Sequence, residues 1–499
     1  MPTTNGHTSN GASPINTKPG HADSLPATSH LASFVSTITP ADLTPRLRSK
    51  TQEVLLDYIG VTVGALQHAE STASILTAIT ALQGISLGKG SSQGVSVVGQ
   101  GKTRWLPQYG GLLNAALGHS LDFDDTYAPG TLHAGVTAIP AALACAESLV
   151  NDDPARQQVI SSGEFLLAVA VGYEVTCRIG RELGYAAYSR GFHNTSTAGI
   201  FGAIAAIAVL RHLPASAVED AFGLAGSKAG GSMQYLENGS WNKRLHPGFA
   251  VHDAFMCVGL AENGIVGAAK ILEGKSGVLK AYSPSEEIDL RRLTEGLGTE
   301  WCWLASSLKP YPACRMTHGF IELCGKLHET FAAGDNAKPT PEDIEGVTLF
   351  MSPANYILIG DPTPNKRHPT NNIDAQFSAY FQVAHSLLHG AKTGDMAPYS
   401  RLKDTGINQL TEKIVVEQDA GMKQFSARLK LVWRGGEAVE VMQEFPLGEV
   451  EHPFTRELVV QKFHSLADPV VGEKRAEYVA GLVEGLETGS VMGLIEALR

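Results

Sequence analysis

Apolar residues recur along most of this chain at helical spacing, and two stretches break that rhythm. Between Pro40 and Leu66 the positions Leu43, Leu47, Val54, Leu55, Tyr58, Ile59 and Val61 follow a helical repeat. Ser71 to Leu87 continues it, and Gly94 to Gly99 reads as a short surface excursion. Four stretches carry the strongest helical pattern: Tyr109–Ser120, Val136–Leu149, Gly163–Gly180 and Ser196–Leu210. Their Ala, Gly and Ser positions permit close helix packing. Pro214 opens a further helix reaching to about Gly230, since its missing donor costs nothing in a first turn. A polar loop, Gln234–Gly248, is expected next, then a helix from Ala250 to Val266.

After about Glu273 the period changes. Met316–His328 and Phe377–Leu388 still read as helices, but Val347–Met351, Lys413–Glu417 and Phe425–Trp433 read as strands. Gly435-Gly436 then turns the chain into Ala438–Val441, a hairpin signal. From Pro453 to Leu498 helices return. Residues 1–28 are rich in Thr, Asn, Gly, Ser, Pro and His and are expected to form a disordered tail. The expected fold is therefore mainly α. A large all-α helical domain is built from residues 29–274 and 448–499, with a smaller α/β lid domain, 275–447, inserted between them.

Composition narrows the function classes. The 499 residues are 43% hydrophobic and 18% charged, with a net charge of -11 and no Lys/Arg block, so nucleic acid is not an expected partner. The six cysteines, Cys145, Cys177, Cys257, Cys302, Cys314 and Cys324, form no CxxC pair and read as scattered core thiols of a reducing compartment. No run of eighteen uninterrupted apolar residues occurs, so no membrane span is expected. Lys18 is the only Lys or Arg before Arg46, and no basic segment leads into an apolar core. The expectation is neither signal nor transit peptide, and a cytoplasmic location.

The chemistry concentrates at Leu121-Asp122-Phe123-Asp124-Asp125-Thr126 and Leu132-His133-Ala134-Gly135. Charges between two apolar helices need a purpose, because unpaired buried charge is costly. Capping of the next helix is one purpose, a pocket wall another. His133 at a helix start is placed to move a proton near neutral pH. Gly191-Phe192-His193-Asn194 opens a very apolar helix with a histidine that has no capping duty. Lys243-Arg244-Leu245-His246-Pro247-Gly248 offers a point charge and a planar fork suited to carboxylates. Lys309 stands before Pro310-Tyr311-Pro312, with Arg315 and His318 just after, and Tyr356 follows a strand. The histidines form no HExxH and no dedicated metal cage is expected, with a divalent ion at Asp122, Asp124, Asp125 and His133 as a minor alternative; no GxGxxG after a strand and no P-loop occurs. The side chains suit a small polyanionic acid held by cations, with proton transfer at a developing carbanion.

These segments resemble the MmgE/PrpD family of 2-methylcitrate dehydratases and cis-aconitate decarboxylases. The resemblance rests on LDFDDT at Leu121–Thr126, LHAG around His133, GFH at Gly191–His193 and KRLHPG at Lys243–Gly248. ILEG at Ile271–Gly274, the Lys309-Pro310-Tyr311-Pro312 region and AQFS at Ala375–Ser378 extend it over nearly everything after the tail. It implies a helical domain with an α/β lid, a homodimer, and no organic cofactor or metal. It also selects Asp122, Thr126, His133, His193, Lys243, Lys309 and Tyr356 as catalytic, with Lys243, Arg244, His246 and Lys309 binding substrate carboxylates. The loop from Thr126 to His133 is similar to the general family form, so the expected activity is dehydration of 2-methylcitrate or a related alkylcitrate. Decarboxylation of cis-aconitate is the alternative, and epimerisation of iminodisuccinate a third.

Overall fold

The computed structural model describes residues 26–84, 94–101, 103–152, 160–284, 288–335 and 338–499. The expected tail falls almost entirely outside them. Its last residues are already structured, since a helix runs Ala27–Thr37 and Thr28 Oγ1 donates to Glu273 Oε2 at 2.6 Å.

A layer of long helices forms the larger core. Gly199–Arg211 lies at its centre, apolar and buried on nearly every side, between Ser162–Ser189 and Gly135–Asp152. A helix apolar all round is a core helix. The stretch Asn194–Arg211 is long and apolar enough to cross a membrane, yet 94% of it is buried inside the protein. Close approach here depends on missing side chains: a Cβ on Gly172 would meet Ala138 Cβ at 2.8 Å and Gly202 O at 3.0 Å. Within the same layer Glu174 and Arg178 pair at 2.5 Å. Arg178 also donates to the carbonyls of Glu295 and Glu300, and Glu174 accepts from the amides of Cys302 and Trp303. This buried pair fastens the segment that leads into Lys309.

The second apolar cluster, with Phe320, Leu349, Phe381 and Leu429 at its centre, surrounds a four-stranded sheet. The strands are β1 (Ile344–Met351), β2 (Ile414–Gln418), β3 (Ala427–Trp433) and β4 (Ala438–Gln443), in the order β2-β1-β3-β4. β1 and β2 are parallel, and the connection between them includes the helix Ala379–His389, as a parallel pair requires a crossover. β3 and β4 form the expected hairpin through Gly435-Gly436.

After the sheet the chain returns to the first core. Helix Arg456–Val471 lies along Pro45–His68, and Lys462 reaches Asp57 at 2.6 Å and the Phe123 carbonyl at 2.8 Å.

Two local expectations are corrected. Val95, Val97 and Val98 are buried rather than superficial, because Val95 pairs with Trp105 and Ser96 donates to the buried Glu147. The KRLHPG segment is not a loop: the helix starts at Asn242 and runs to Glu262 through Pro247.

Candidate active site

Helix Pro107–Gly118 ends just before the acidic segment, and the chain turns at Asp122, whose φ is 51°. Non-glycine residues seldom take this left-handed conformation, and Asp and Asn are among those that tolerate it. The turn is held from several sides. Gln376 donates to the Leu121 carbonyl at 2.8 Å, Lys462 to the Phe123 carbonyl, and Thr126 and Ser307 exchange two backbone hydrogen bonds at 2.8 Å. The last contact lays the acidic segment beside Lys309.

Asp122 Oδ1 accepts from Lys243 Nζ at 2.5 Å and from Lys309 Nζ at 2.9 Å, and Lys309 also donates to the Asp122 carbonyl at 2.8 Å. His133 Nε2 stands 4.0 Å from the same carboxylate oxygen. Burial alone pushes the Asp122 carboxyl up, but Lys243, Lys309 and His133 outweigh it and hold the group well below the usual range. Asp122 therefore gathers two ammonium groups at one point, and helix Asn242–Glu262 delivers one of them.

Asp124 organises the imidazoles. Its Oδ2 lies 2.9 Å from His119 Nδ1 and 3.0 Å from His133 Nδ1. Burial opposes its ionisation, and the two histidines overcome this, so its carboxyl also sits well below the usual range. Burial lowers His119 to about 4, against the pull of Asp124. His193 is driven well below the normal imidazole value by burial and by His119, His246 and Lys243, while burial and Lys243 bring His246 to about 4. His193 and His246 meet Nδ1 to Nδ1 at 3.0 Å, so one of these neutral rings donates to the other. Asp125 behaves differently. Burial, with Asp124 and Asp57 nearby, raises it to about 7, and its Oδ1 accepts from the Gly135 amide and from Tyr173 Oη, both at 3.2 Å. It caps the following helix, so one part of the acidic cluster is structural and another faces the cavity.

The cavity, about 550 Å³ with its open mouth included, is lined by residues that include Asp122, Thr126, His133, His193, Lys243 and Lys309. Three residues expected at the site are elsewhere. Arg244 points the other way along its helix, donating to Ser71 Oγ at 2.9 Å with Glu70 at 3.9 Å. His246 stands behind His193 and off the cavity wall. Tyr356 opens the irregular turn Tyr356–Gly360 and packs against the second apolar cluster, and it is Leu358 from that turn that reaches the cavity.

The wall also holds side chains to which the sequence assigned no role: Tyr188, Tyr235, Met316, Phe377 and Arg315. Arg315 pairs with Glu449 at 2.5 Å and donates to the Leu308 carbonyl, leaving its buried Nη2 without a partner. His119 was also missed, although it lies only three residues before Asp122. Among the described residues, His119, Asp124 and His133 bring metal-type donor atoms within 4.8 Å of one another, and here Asp124 spans the two rings.

Comparison with known proteins agrees with this picture. The MmgE/PrpD N-terminal domain model matches residues 29–291 and the MmgE/PrpD C-terminal domain model matches residues 311–488. The chain is 26% identical to the cis-aconitate decarboxylase-like protein oryM of Aspergillus oryzae, over 95% of this chain and 98% of that protein. It is 26% identical to a cis-aconitate decarboxylase of Aspergillus terreus, over 78% and 80% of the two chains. Against the cis-aconitate decarboxylase of Homo sapiens it is 23% identical over 92% of each. With both domain models matched in order over most of its length, the chain belongs to the MmgE/PrpD family.

Proposed function

We propose that this chain is a lyase that breaks a bond in a small polycarboxylate by way of a carbanion. The observation that carries this is the cavity in which Lys243 and Lys309 converge on one carboxylate with His133 and His193 in the same wall. Ammonium groups fixed in a water-poor pocket bind substrate carboxylates and stabilise the negative charge that develops as the bond breaks. The unpartnered Nη2 of Arg315 suits a further carboxylate oxygen.

The relatives favour loss of CO2 from an acid of the cis-aconitate type. In that reaction the bond between carbon and a carboxylate breaks, CO2 departs, and the electron pair stays on carbon, next to a carboxylate held by the lysines. A proton delivered by His133 then closes the step, and Asp124 at 3.0 Å orients the ring. The second reading is loss of water from 2-methylcitrate or a longer alkylcitrate. Two imidazoles on separate elements favour it: His193, held neutral, would take the proton from carbon, and His133 would protonate the departing hydroxyl. In either reading the sheet-bearing unit serves as the lid, because Arg315, Met316, Leu358 and Phe377 come from it.

The test is to incubate the purified protein separately with cis-aconitate, 2-methylcitrate, hexylcitrate and iminodisuccinate, following CO2, unsaturated acid and change of configuration. CO2 from cis-aconitate supports the first reading, and unsaturated acid without CO2 supports the second. Lys309→Met and His133→Asn should each lower turnover at least about 100-fold. Full turnover in both variants would refute the site.

A further inference from the structure

Four non-glycine residues among those described have a positive φ: Asp122, Thr131, His212 and Lys270. Two of them, Asp122 and Thr131, stand in the wall of the same polar cavity. Thr131 is the least expected of the four. Its φ of 49° and ψ of 53° place it in the left-handed region, which its branched Cβ makes costly. It closes the short turn Ala128–Gly130, a duty that glycine performs without that cost. The loop is held on both sides of it. Tyr127 and Leu132 exchange backbone hydrogen bonds at 2.8 and 3.4 Å, and the Thr131 amide donates to the Ala128 carbonyl at 3.0 Å. Leu132 is wedged against Gly180, where an added Cβ would meet Leu132 Cδ2 at 2.0 Å. The half-buried Thr131 hydroxyl makes no hydrogen bond among the described residues. A strained backbone position whose side chain contributes no bond to the fold points to a role outside the fold.

We infer that Thr131 is a substrate-binding residue, whose hydroxyl donates to a carboxylate oxygen of the acid held by Lys243 and Lys309. The inference rests on the polycarboxylate reading given above and deepens it by naming a further contact. Three observations select this role: the residue lines the cavity, its hydroxyl is uncommitted, and the turn keeps a branched side chain where a smaller residue is easier to accommodate. Thr131 stands two residues before His133, so a carboxylate bound there lies beside the imidazole that moves the proton.

The experiment is calorimetric binding of tricarballylate to the intact protein and to Thr131→Val, Thr131→Ser and Thr131→Gly, with the melting temperature of each. Tricarballylate lacks the hydroxyl and the double bond and is not turned over by either reaction. Thr131→Val keeps the branched shape and deletes the hydroxyl, so affinity should fall about tenfold, as loss of a hydrogen bond to a charged group does. Thr131→Ser keeps the donor and should bind within about threefold of the parent. Thr131→Gly should lose affinity as Thr131→Val does, yet melt about a degree higher as the strain is relieved. A residue serving only the turn would give a more stable glycine variant with affinity unchanged. That result overturns the inference and leaves the polycarboxylate reading standing, as does a Thr131→Val protein that binds like the parent. Loss of affinity in Thr131→Ser equal to that in Thr131→Val assigns the contact to the methyl group and overturns it. A Thr131→Gly protein that melts below the parent removes the strain argument and overturns it as well. Failure of the parent to bind tricarballylate overturns the polycarboxylate reading and this inference together.

Discussion

Asp122→Asn isolates the charge on which the two lysines converge. Asparagine keeps the shape and tolerates the left-handed backbone at φ 51°, so the substitution removes the negative charge with little added strain. Lys243 Nζ and Lys309 Nζ lie 2.5 and 2.9 Å from the same oxygen, so they are at most about 5.4 Å apart. At an effective dielectric constant near 20, two unit charges at that distance repel by about 3 kcal/mol. The lost charge-assisted hydrogen bonds add to this, and breaking a buried pair commonly costs about 3–5 kcal/mol. The Asp122 carboxyl is held below the ordinary range, so its stabilisation is fully present above about pH 4 and is lost only as pH falls from there. A urea titration at pH 7 therefore reads the whole deficit, with the fluorescence of buried Trp105, Trp301 and Trp303 as the signal. Saturating tricarballylate should restore more stability to the variant than to the parent, because a carboxylate takes the vacated place. A deficit below about 1 kcal/mol that added tricarballylate leaves unchanged would refute the reasoning.

Other tests address separate parts of the structure. Asp125 is raised from an unfolded value near 4 to about 7, so the folded state holds its proton more tightly and stability falls as pH climbs through that window. At ~1.4 kcal/mol per pH unit the whole effect is of order 4 kcal/mol, and Asp125→Asn should flatten the stability profile between pH 4 and 7. An unchanged profile would show that Asp125 ionises freely. Tyr235→Phe, in the cavity wall, should lower turnover measurably, whereas Tyr356→Phe should leave kcat within about twofold, and the reverse order would return Tyr356 to the site. The exposed apolar strip Phe249, Met256, Leu260, Ile265 and Val266 is proposed as the contact between two copies. Met256→Glu with Val266→Glu should then shift sedimentation from dimer to monomer, and an unshifted dimer would place the contact elsewhere.

What was legible in the sequence, and what was not, follows from the range of the interactions involved. The central helices declared themselves because their apolar positions repeat locally, and β3 and β4 because Gly435-Gly436 marks their turn. Six residues selected through the family resemblance line one cavity, drawn from segments as far apart as Asp122 and Lys309. The polar run Gln234–Gly248 made the Lys243 segment read as a loop, yet packing of the helix Asn242–Glu262 on its neighbours carries it through, even past Pro247, which removes a helical hydrogen bond. Arg244 and Lys243 are adjacent in sequence but project from different faces of one helix, so only Lys243 reaches the cavity. Arg315 was noted beside Lys309 but given no role, because its partner, Glu449, lies 134 residues away and no local pattern announces such a pair.

Lys462 carries a consequence for biogenesis. It holds both Asp57 and the carbonyl of Phe123, the residue after Asp122, so the turn that sets the lysines is completed by a residue 339 positions further along the chain. At synthesis rates of about 5–20 residues per second, a growing polypeptide spends tens of seconds with its first helices out of the ribosome and this clasp still untranslated. Throughout that interval the acidic turn lacks this clasp, and the site is assembled only after Lys462 has been translated.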